Sequence, residues 1–257
     1  MQNRLWMRLR LIRHATLLVE LAGSCVLVDP MLDPAGARPP VADTPNDRRN
    51  PLVELPEPVE LIVRNLDAVL VTHLHADHLD QTAVDLLPKD VPLVCQPPDE
   101  GVLRDRGFTD VRPVATTAEL GAVTVTRTGG RHGTGEIAER LAPVSGFVVA
   151  APGEPKLYVA GDTVWCDEVA AALDEHTPDV VVVNAGGARL TEGDPITMTD
   201  ADIAAVAAHA PGARVVAVHL EAINHCLQTR PDLHQRLREA GLQGRVTVPE
   251  DGALVPV

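Results

Sequence analysis

Three histidines and an aspartate lie within six residues, directly after a short apolar run, and this segment constrains the chain more than any other. Residues 68–72 (AVLVT) are apolar or β-branched, which is typical of a buried strand. His73 and His75 then lie on one side of the extended chain. A turn at Asp77 and His78 can direct these two side chains toward a second position close to the first. We predict that this strand end supplies ligands to two adjacent metal ions; a chance cluster on a surface loop is the alternative.

Residues that can bind metals also follow other predicted strands. Asp162 ends a second hairpin, His219 follows the buried run 214–218, and His132 lies in a glycine-rich turn, GRHG. The hairpin that ends at Asp162 repeats the opening hairpin, which ends at Asp29, and this indicates an internal duplication. Imidazole nitrogen and carboxylate oxygen are ligands for Zn²⁺ and similar ions, and a catalytic site leaves positions open for water.

The order of these residues resembles the metallo-β-lactamase superfamily of metal-dependent hydrolases. The motif HxHxDH at 73–78 comes first, and a histidine, an aspartate and a last histidine after a buried strand follow it. The hairpin end VDP at 28–30 and the segment TMTDA at 197–201 look most like the branch that contains ascorbate-6-phosphate lactonase. The resemblance covers most of the chain. It implies one domain over residues 1–257 with an α/β fold, an αββα sandwich of two mixed β-sheets flanked by helices.

The resemblance also implies the metal ligands and the chemistry. His73, His75 and His132 would hold a first ion, Asp77, His78 and His219 would hold a second, and Asp162 would bridge them. Two divalent ions are expected; Zn²⁺ is favoured, and Mn²⁺ or Fe²⁺ stays open because the same ligands accept each. A hydroxide that bridges the ions would be the nucleophile, since two cations lower the pKa of its parent water toward about 7.

Two residues are the candidate catalytic groups besides the metals. Asp77 is one, and His225, six residues after His219, is the other. His225 would contact substrate, protonate a leaving group, support a ligand, or replace His219 as the ligand.

The composition bears on the substrate. Ten histidines outnumber five Phe, Tyr and Trp residues, so few side chains could stack on a nucleobase. A net charge of −14 disfavours nucleic acid and anionic membranes. We expect a small polar, anionic ester, lactone or phosphoester, with Asn184, Arg131 and Arg230 as candidate contacts. A nuclease or phosphodiesterase of the same superfamily and a non-catalytic metal-binding sensor are the alternatives.

Residues 30–58 contain eight prolines and little periodicity, which predicts a long insertion loop. The loop either covers the site or is a surface insertion. His14 falls in residues 11–21, an alternating run that predicts one strand, and is expected to be an ordinary core or hairpin histidine; a side chain that reaches the edge of the site is the alternative.

The cysteines and the hydropathy indicate the compartment. Four dispersed cysteines form no CxxC pair, which is typical of a reducing environment, and no apolar segment has the length of a membrane span. We therefore expect a cytoplasmic protein; formation of a homo-oligomer is left open.

Overall fold

The computed structural model describes residues 7–257, which form two seven-stranded β-sheets packed face to face with helices on both outer sides. The strands are β1 Arg8–Arg13, β2 Thr16–Leu21, β3 Ser24–Val28, β4 Ala68–Val71, β5 Leu93–Cys95, β6 Val111–Pro113, β7 Thr117–Leu120, β8 Val123–Thr128, β9 Gly146–Ala150, β10 Leu157–Val159, β11 Val180–Asn184, β12 Arg214–Val218, β13 Val246–Thr247 and β14 Leu254–Val255. The helices are α1 Val59–Ile62, α2 Gln81–Leu86, α3 Glu100–Asp105, α4 Gly135–Leu141, α5 Asp167–His176, α6 Asp200–His209 and α7 Arg230–Glu239. The predicted αββα sandwich is confirmed.

Both sheets are mixed and follow the same plan. In the first, with the order β14-β1-β2-β3-β4-β5-β6, strands β1 to β3 are antiparallel and β3 to β6 are parallel. In the second, with the order β13-β12-β11-β10-β9-β8-β7, strands β8 to β10 are antiparallel and β10 to β13 are parallel. Asp29 and Asp162 follow the equivalent strands β3 and β10, as an internal duplication would require.

Three apolar layers hold the sandwich together. Inward residues of both sheets, among them Leu17, Leu70 and Val182, fill a shared core between the sheets. The outer face of the first sheet packs against α1, α2 and α3, and the outer face of the second packs against α5, α6 and α7. Strands β4 and β11 are buried along their whole length, which explains why their sequences are apolar at almost every position. Within residues 7–257, no helix combines the length and apolar character that crossing a membrane requires.

The opening alternating run is two strands and not one. β1 and β2 pair antiparallel around a turn at His14 and Ala15, where His14 adopts a left-handed backbone with φ of 60°. The prediction of a single strand over residues 11–21 was wrong because the turn contains no glycine, proline or asparagine. Histidine is one of the few other residues that tolerate this backbone region.

The proline-rich segment, residues 30–58, contains no helix or strand in the described structure, apart from one isolated bridge between Arg38 and Asn50. The side chain of Arg13 fixes this segment through hydrogen bonds. The guanidinium of this fully buried side chain donates to the carbonyl oxygens of Met31, Asp33 and Val53. Burial lowers the pKa of Arg13 to about 10, so the group remains charged at neutral pH. The segment is therefore fixed by hydrogen bonds although its backbone is irregular.

Candidate functional site

Strand ends from both sheets meet at one edge of the sandwich. Residues 72–78 follow β4, and His132, Asp162 and His219 follow β8, β10 and β12. The carboxyl ends of parallel strands lie at the same edge of a sheet, so this topology collects side chains that are far apart in sequence. The β1–β2 turn brings His14 to the same edge.

Two groups of possible metal ligands lie there side by side. Within each group, the ligand atoms all lie within 4.8 Å of one another. The first donor group is His73, His75, His132 and Asp162, and the second donor group is His14, Asp77, His78 and His219. The seven predicted ligands thus come together, and His14 joins them.

Asp162 faces both groups through different oxygens. Its Oδ1 lies 3.3 Å from His78 Nε2 and 3.4 Å from His219 Nε2. Its Oδ2 lies 3.3 Å from His132 Nε2 and 3.9 Å from His73 Nε2. Burial alone would raise the pKa of Asp162, but the histidines around it hold that pKa well below its usual value. An ionised carboxylate with one oxygen toward each group has the geometry of a bridging ligand.

Four of the histidines are oriented through Nδ1, which leaves Nε2 directed into the site. Such hydrogen bonds fix the ring and its tautomer in metal-binding histidines. The Nδ1 partners are Thr72 Oγ1 at 3.1 Å for His73, Asp29 Oδ2 at 2.8 Å for His78, the Ile196 carbonyl at 2.8 Å for His132, and Cys226 Sγ at 3.4 Å for His219.

The donor atoms fit divalent ions. Within residues 7–257, the buried Nε2 atoms of His78 and His219 form no hydrogen bond of suitable geometry, although Asp162 Oδ1 lies 3.3 Å and 3.4 Å from them. His73 Nε2 and His75 Nδ1 lie only 2.9 Å apart, although both are potential ligand atoms. Buried polar atoms without a partner are costly, and a cation between converging lone pairs removes that cost. The nitrogen and oxygen donor set matches Zn²⁺ and related ions.

A cavity of about 370 Å³ opens onto both donor groups. His75, Asp77, His132 and His225 line it on the side of the site. The remaining wall is largely apolar and includes Pro39, Pro40, Val41, Leu141, Ile196 and Ile223. Part of the proline-rich segment therefore forms a wall of the cavity.

Asn224 holds that wall in position. Its Oδ1 accepts from Val41 N at 3.0 Å and from Asn50 Nδ2 at 2.8 Å. Its Nδ2 donates to Thr44 Oγ1 at 2.6 Å and to the Asn46 carbonyl at 2.9 Å. One buried amide thus joins four positions of the segment to the residue next to His225.

His225 is buried and lines the cavity, and its Nδ1 has no hydrogen-bond partner among the described residues. Burial lowers the pKa of His225 to about 4. The imidazole is therefore neutral near pH 7, with one nitrogen able to donate and the other able to accept a proton.

None of the three candidate substrate contacts lines the cavity, and the structure gives each another partner. Asn184 is buried and donates to Asp162 Oδ1 at 2.7 Å. Arg131, with its side chain about half exposed, pairs with Glu168. Arg230 is buried beneath the surface and donates to Glu221, Asp251 and the Pro249 carbonyl.

The sequence matches the family model described as a beta-lactamase superfamily domain over residues 25–220, which include all seven predicted ligands. The chain belongs to the metallo-β-lactamase superfamily. It is 36% identical to the UPF0173 protein YddR of Bacillus subtilis (strain 168), over 96% of this chain and 98% of that protein. Within the superfamily it is a metal-dependent hydrolase of the UPF0173 family; the assignment to the ascorbate-6-phosphate lactonase branch stays a prediction.

Two solved structures are similar to this chain over almost their whole length. A protein from Veillonella parvula DSM 2008, described as a possible metal-dependent hydrolase, has a TM-score of 0.95 and 32% identity, covering 98% of this chain and 100% of that chain. An isothiocyanate hydrolase from Delia radicum gut bacteria has a TM-score of 0.93 and 35% identity, covering 98% and 99%.

A site role for His14 was expected from the sequence only as the alternative, and Asn224 was not identified. His14 is hidden in a turn without the usual turn residues, and its contacts with Asp77 and His219 join distant segments. Asn224 lies beside His225, but its partners are in the proline-rich segment, about 180 positions away. The proline pair at 39–40 was a signal that this part of the segment has a restricted backbone, because proline fixes its own φ angle.

Proposed function

We propose that this enzyme uses two divalent ions, with Zn²⁺ favoured, to hydrolyse a small uncharged electrophile with an apolar body, and that isothiocyanates are the substrate class. The observation that carries this proposal is the largely apolar cavity over the two donor groups. Its volume of about 370 Å³ is within the range of small-molecule sites.

The charge of the cavity wall supports an uncharged substrate. Arg38 is the one arginine or lysine among the described lining residues, and its Nε lies 2.7 Å from Asp33 Oδ2. Asp33 is held in turn by Thr82, which donates its hydroxyl to Asp33 Oδ1 at 2.6 Å. Asp33 offsets the charge of Arg38 and so weakens its attraction for an anionic substrate, while the buried Nη2 of Arg38 has no hydrogen-bond partner among the described residues.

The relative named isothiocyanate hydrolase supports the same class, since it is 35% identical and covers nearly the whole chain. An isothiocyanate combines a neutral electrophilic carbon with an organic group that can lie against apolar residues. In its hydrolysis the oxygen of water bonds to that carbon and the nitrogen receives a proton. The thiocarbamate then releases an amine and carbonyl sulfide.

The residues of the chain would divide this work. When bound, the ions supply an acidified water and a positive charge for the atom that becomes negative in the transition state. Asp77 lines the cavity and orients the attacking water by accepting a hydrogen bond from it. His225, neutral and facing the same space, accepts a proton from the water and passes it to the substrate nitrogen. The apolar wall binds the organic group and excludes bulk water.

The test is a hydrolase screen with metal-loaded protein and a count of bound ions by mass spectrometry. We expect two ions per chain and hydrolysis of allyl or benzyl isothiocyanate. Asp162→Asn should lower kcat/KM by more than about 100-fold, because even residues that only support metal ligands have effects of about 10–100-fold. His234→Asn on the exposed face of α7 is the matched control and should behave like the wild type.

Parallel assays with a phosphorylated lactone and a phosphodiester separate the substrate classes. Turnover of either, with none of isothiocyanates, would reject the proposed substrate and favour the anionic ester, lactone or phosphoester expected from the sequence. Equal losses in Asp162→Asn and His234→Asn would reject the site itself.

A further inference from the structure

We propose that His14 is a positioning residue whose Nε2–H donates to Asp77 Oδ2, fixing the carboxylate of the second donor group without binding metal itself. This inference rests on the proposed two-ion function. It concerns a residue outside the seven ligands expected from the sequence.

His14 connects the β1–β2 turn to the end of β12. Its Nε2 lies 3.2 Å from Asp77 Oδ2, and its ring lies 3.6 Å, centroid to centroid, from the ring of His219. The carbonyl oxygen of His14 accepts from His219 N at 2.9 Å. Both histidines have left-handed backbones, with φ of 60° and 66°. The side chain of His14 is completely buried, so the contacts are made without competition from water.

The hydrogen bonds available to the ring identify its tautomer. An ionised carboxylate can only accept, so the contact with Asp77 requires a proton on Nε2. Nδ1 of His14 is buried and has no partner among the described residues. A second proton on Nδ1 would be a buried donor without an acceptor, which is costly. The ring is therefore neutral and carries its single proton on Nε2.

This tautomer separates His14 from the metal-binding histidines. A histidine that binds metal through Nε2 keeps its proton on Nδ1 and donates it to a neighbouring acceptor. His73, His78, His132 and His219 all have such a partner at Nδ1. His14 has none, and its Nε2 is occupied by a proton. His14 therefore acts on the ion through Asp77 and His219.

The test compares His14→Gln with His14→Met. The two side chains have the same length and are equally strained at a φ of 60°, but only glutamine ends in a group that can donate to Asp77. Zn²⁺ affinity is measured by competition with a chromophoric chelator, and the coordination is followed by the absorption bands of the Co²⁺-loaded protein.

We expect His14→Met to bind one ion with wild-type affinity and the second about 10–100-fold more weakly, as for other residues that support metal ligands. His14→Gln should recover most of that affinity and should leave the Co²⁺ bands unchanged. Two sites of wild-type affinity in His14→Met would overturn the proposal. So would Co²⁺ bands in His14→Gln that indicate the loss of a nitrogen ligand.

A measurement on the wild-type protein decides the question even if neither variant folds. In the Zn²⁺-loaded protein, ¹⁵N NMR of the histidine rings should show the His14 proton on Nε2. A proton on Nδ1, or a zinc-bound Nε2, would contradict the inference. The proposed function fails differently, since the wild type would then not bind two ions or would hydrolyse none of the substrates.

Discussion

Replacing Asp29 by asparagine should weaken the binding of one divalent ion while the protein remains folded. Asp29 Oδ1 accepts from Thr72 N at 2.7 Å, and Oδ2 accepts from Thr72 Oγ1 and His78 Nδ1, both at 2.8 Å. Asparagine keeps an oxygen for Thr72 N, and the Thr72 hydroxyl can rotate to accept from the new amide. His78 cannot adapt in the same way. When its Nε2 binds an ion, its one proton is on Nδ1, and this N–H then faces the N–H donor of the new asparagine amide.

The size of the effect follows from this single lost contact. A hydrogen bond to a charged group contributes about 1.5–3 kcal/mol, and the loss of such a partner lowers metal affinity about 10–100-fold. At a free metal concentration of about 100 times the wild-type Kd, one bound ion adds about 2.7 kcal/mol to the free energy of unfolding. At the same concentration, an ion at the weakened site would add only about 0.4–1.4 kcal/mol. For a chain of this length, the metal-induced increase in Tm should be smaller by roughly 3–9 °C.

Thermal unfolding with and without Zn²⁺ measures that increase, and Asp67→Asn is the control. Asp67 is exposed and lies at the opposite end of the same strands, where its Oδ2 accepts from Cys25 N at 2.8 Å. The control should lower the Tm of both forms equally and keep the wild-type metal-induced increase. If Asp29→Asn also keeps the full increase, Asp29 does not orient His78 and the reasoning is refuted.

Three further variants, the first with a control substitution, test other parts of the structure. Gly161 has a φ of 69°, and a Cβ added there would lie 2.6 Å from the Ser145 carbonyl oxygen. Gly161→Ala should therefore lower the free energy of unfolding in urea by at least about 2 kcal/mol. Gly244→Ala is the control, because its Cβ would enter open space, and it should change that free energy by less than about 1 kcal/mol. Asn224→Ala should raise KM more than it lowers kcat and should make the proline-rich segment more sensitive to proteolysis; an unchanged KM would contradict its role in the cavity wall. Arg230→Met should lower stability by roughly 1.5–3 kcal/mol and leave KM unchanged, whereas a raised KM for anionic substrates would favour the contact expected from the sequence.

The clustering of the seven candidate ligands could be predicted from the sequence because each follows a strand within a few residues or lies in a glycine turn. Strand ends are rigid, so the type of residue there is informative even when the partners are remote. His14 could not be predicted in this way, because its turn continues the alternation of the strands on either side. The arginines were misleading for a different reason. A guanidinium suits an anionic substrate and an internal carboxylate equally well, and Arg230 is next to Glu221 only in the folded chain.

The helices show the same limit. The bounds of α6 are readable from its capping residue, Thr199, and from its buried residues Ile203 and Val206. Helix α4 buries none of its residues completely, and its apolar side is limited to Ile137, Ala138 and Leu141, which is too short a pattern to identify a helix. Sequence patterns reveal helices and strands through their buried residues. An element that buries few of its own residues cannot be predicted from such a pattern.

The division of ligands between the two sheets has a consequence for how the protein assembles. The first sheet and its connections supply the candidate ligands His73, His75, Asp77 and His78 together with the positioning residue His14, while the second sheet supplies His132, Asp162 and His219. Neither donor group is complete until both halves of the sandwich have docked in register. Tight ion binding should therefore be a late event in folding, and the bound ions should stabilise the contact between the two sheets. Metal content thereby becomes a measure of correct assembly, which reports on the junction between the halves and not on either half alone.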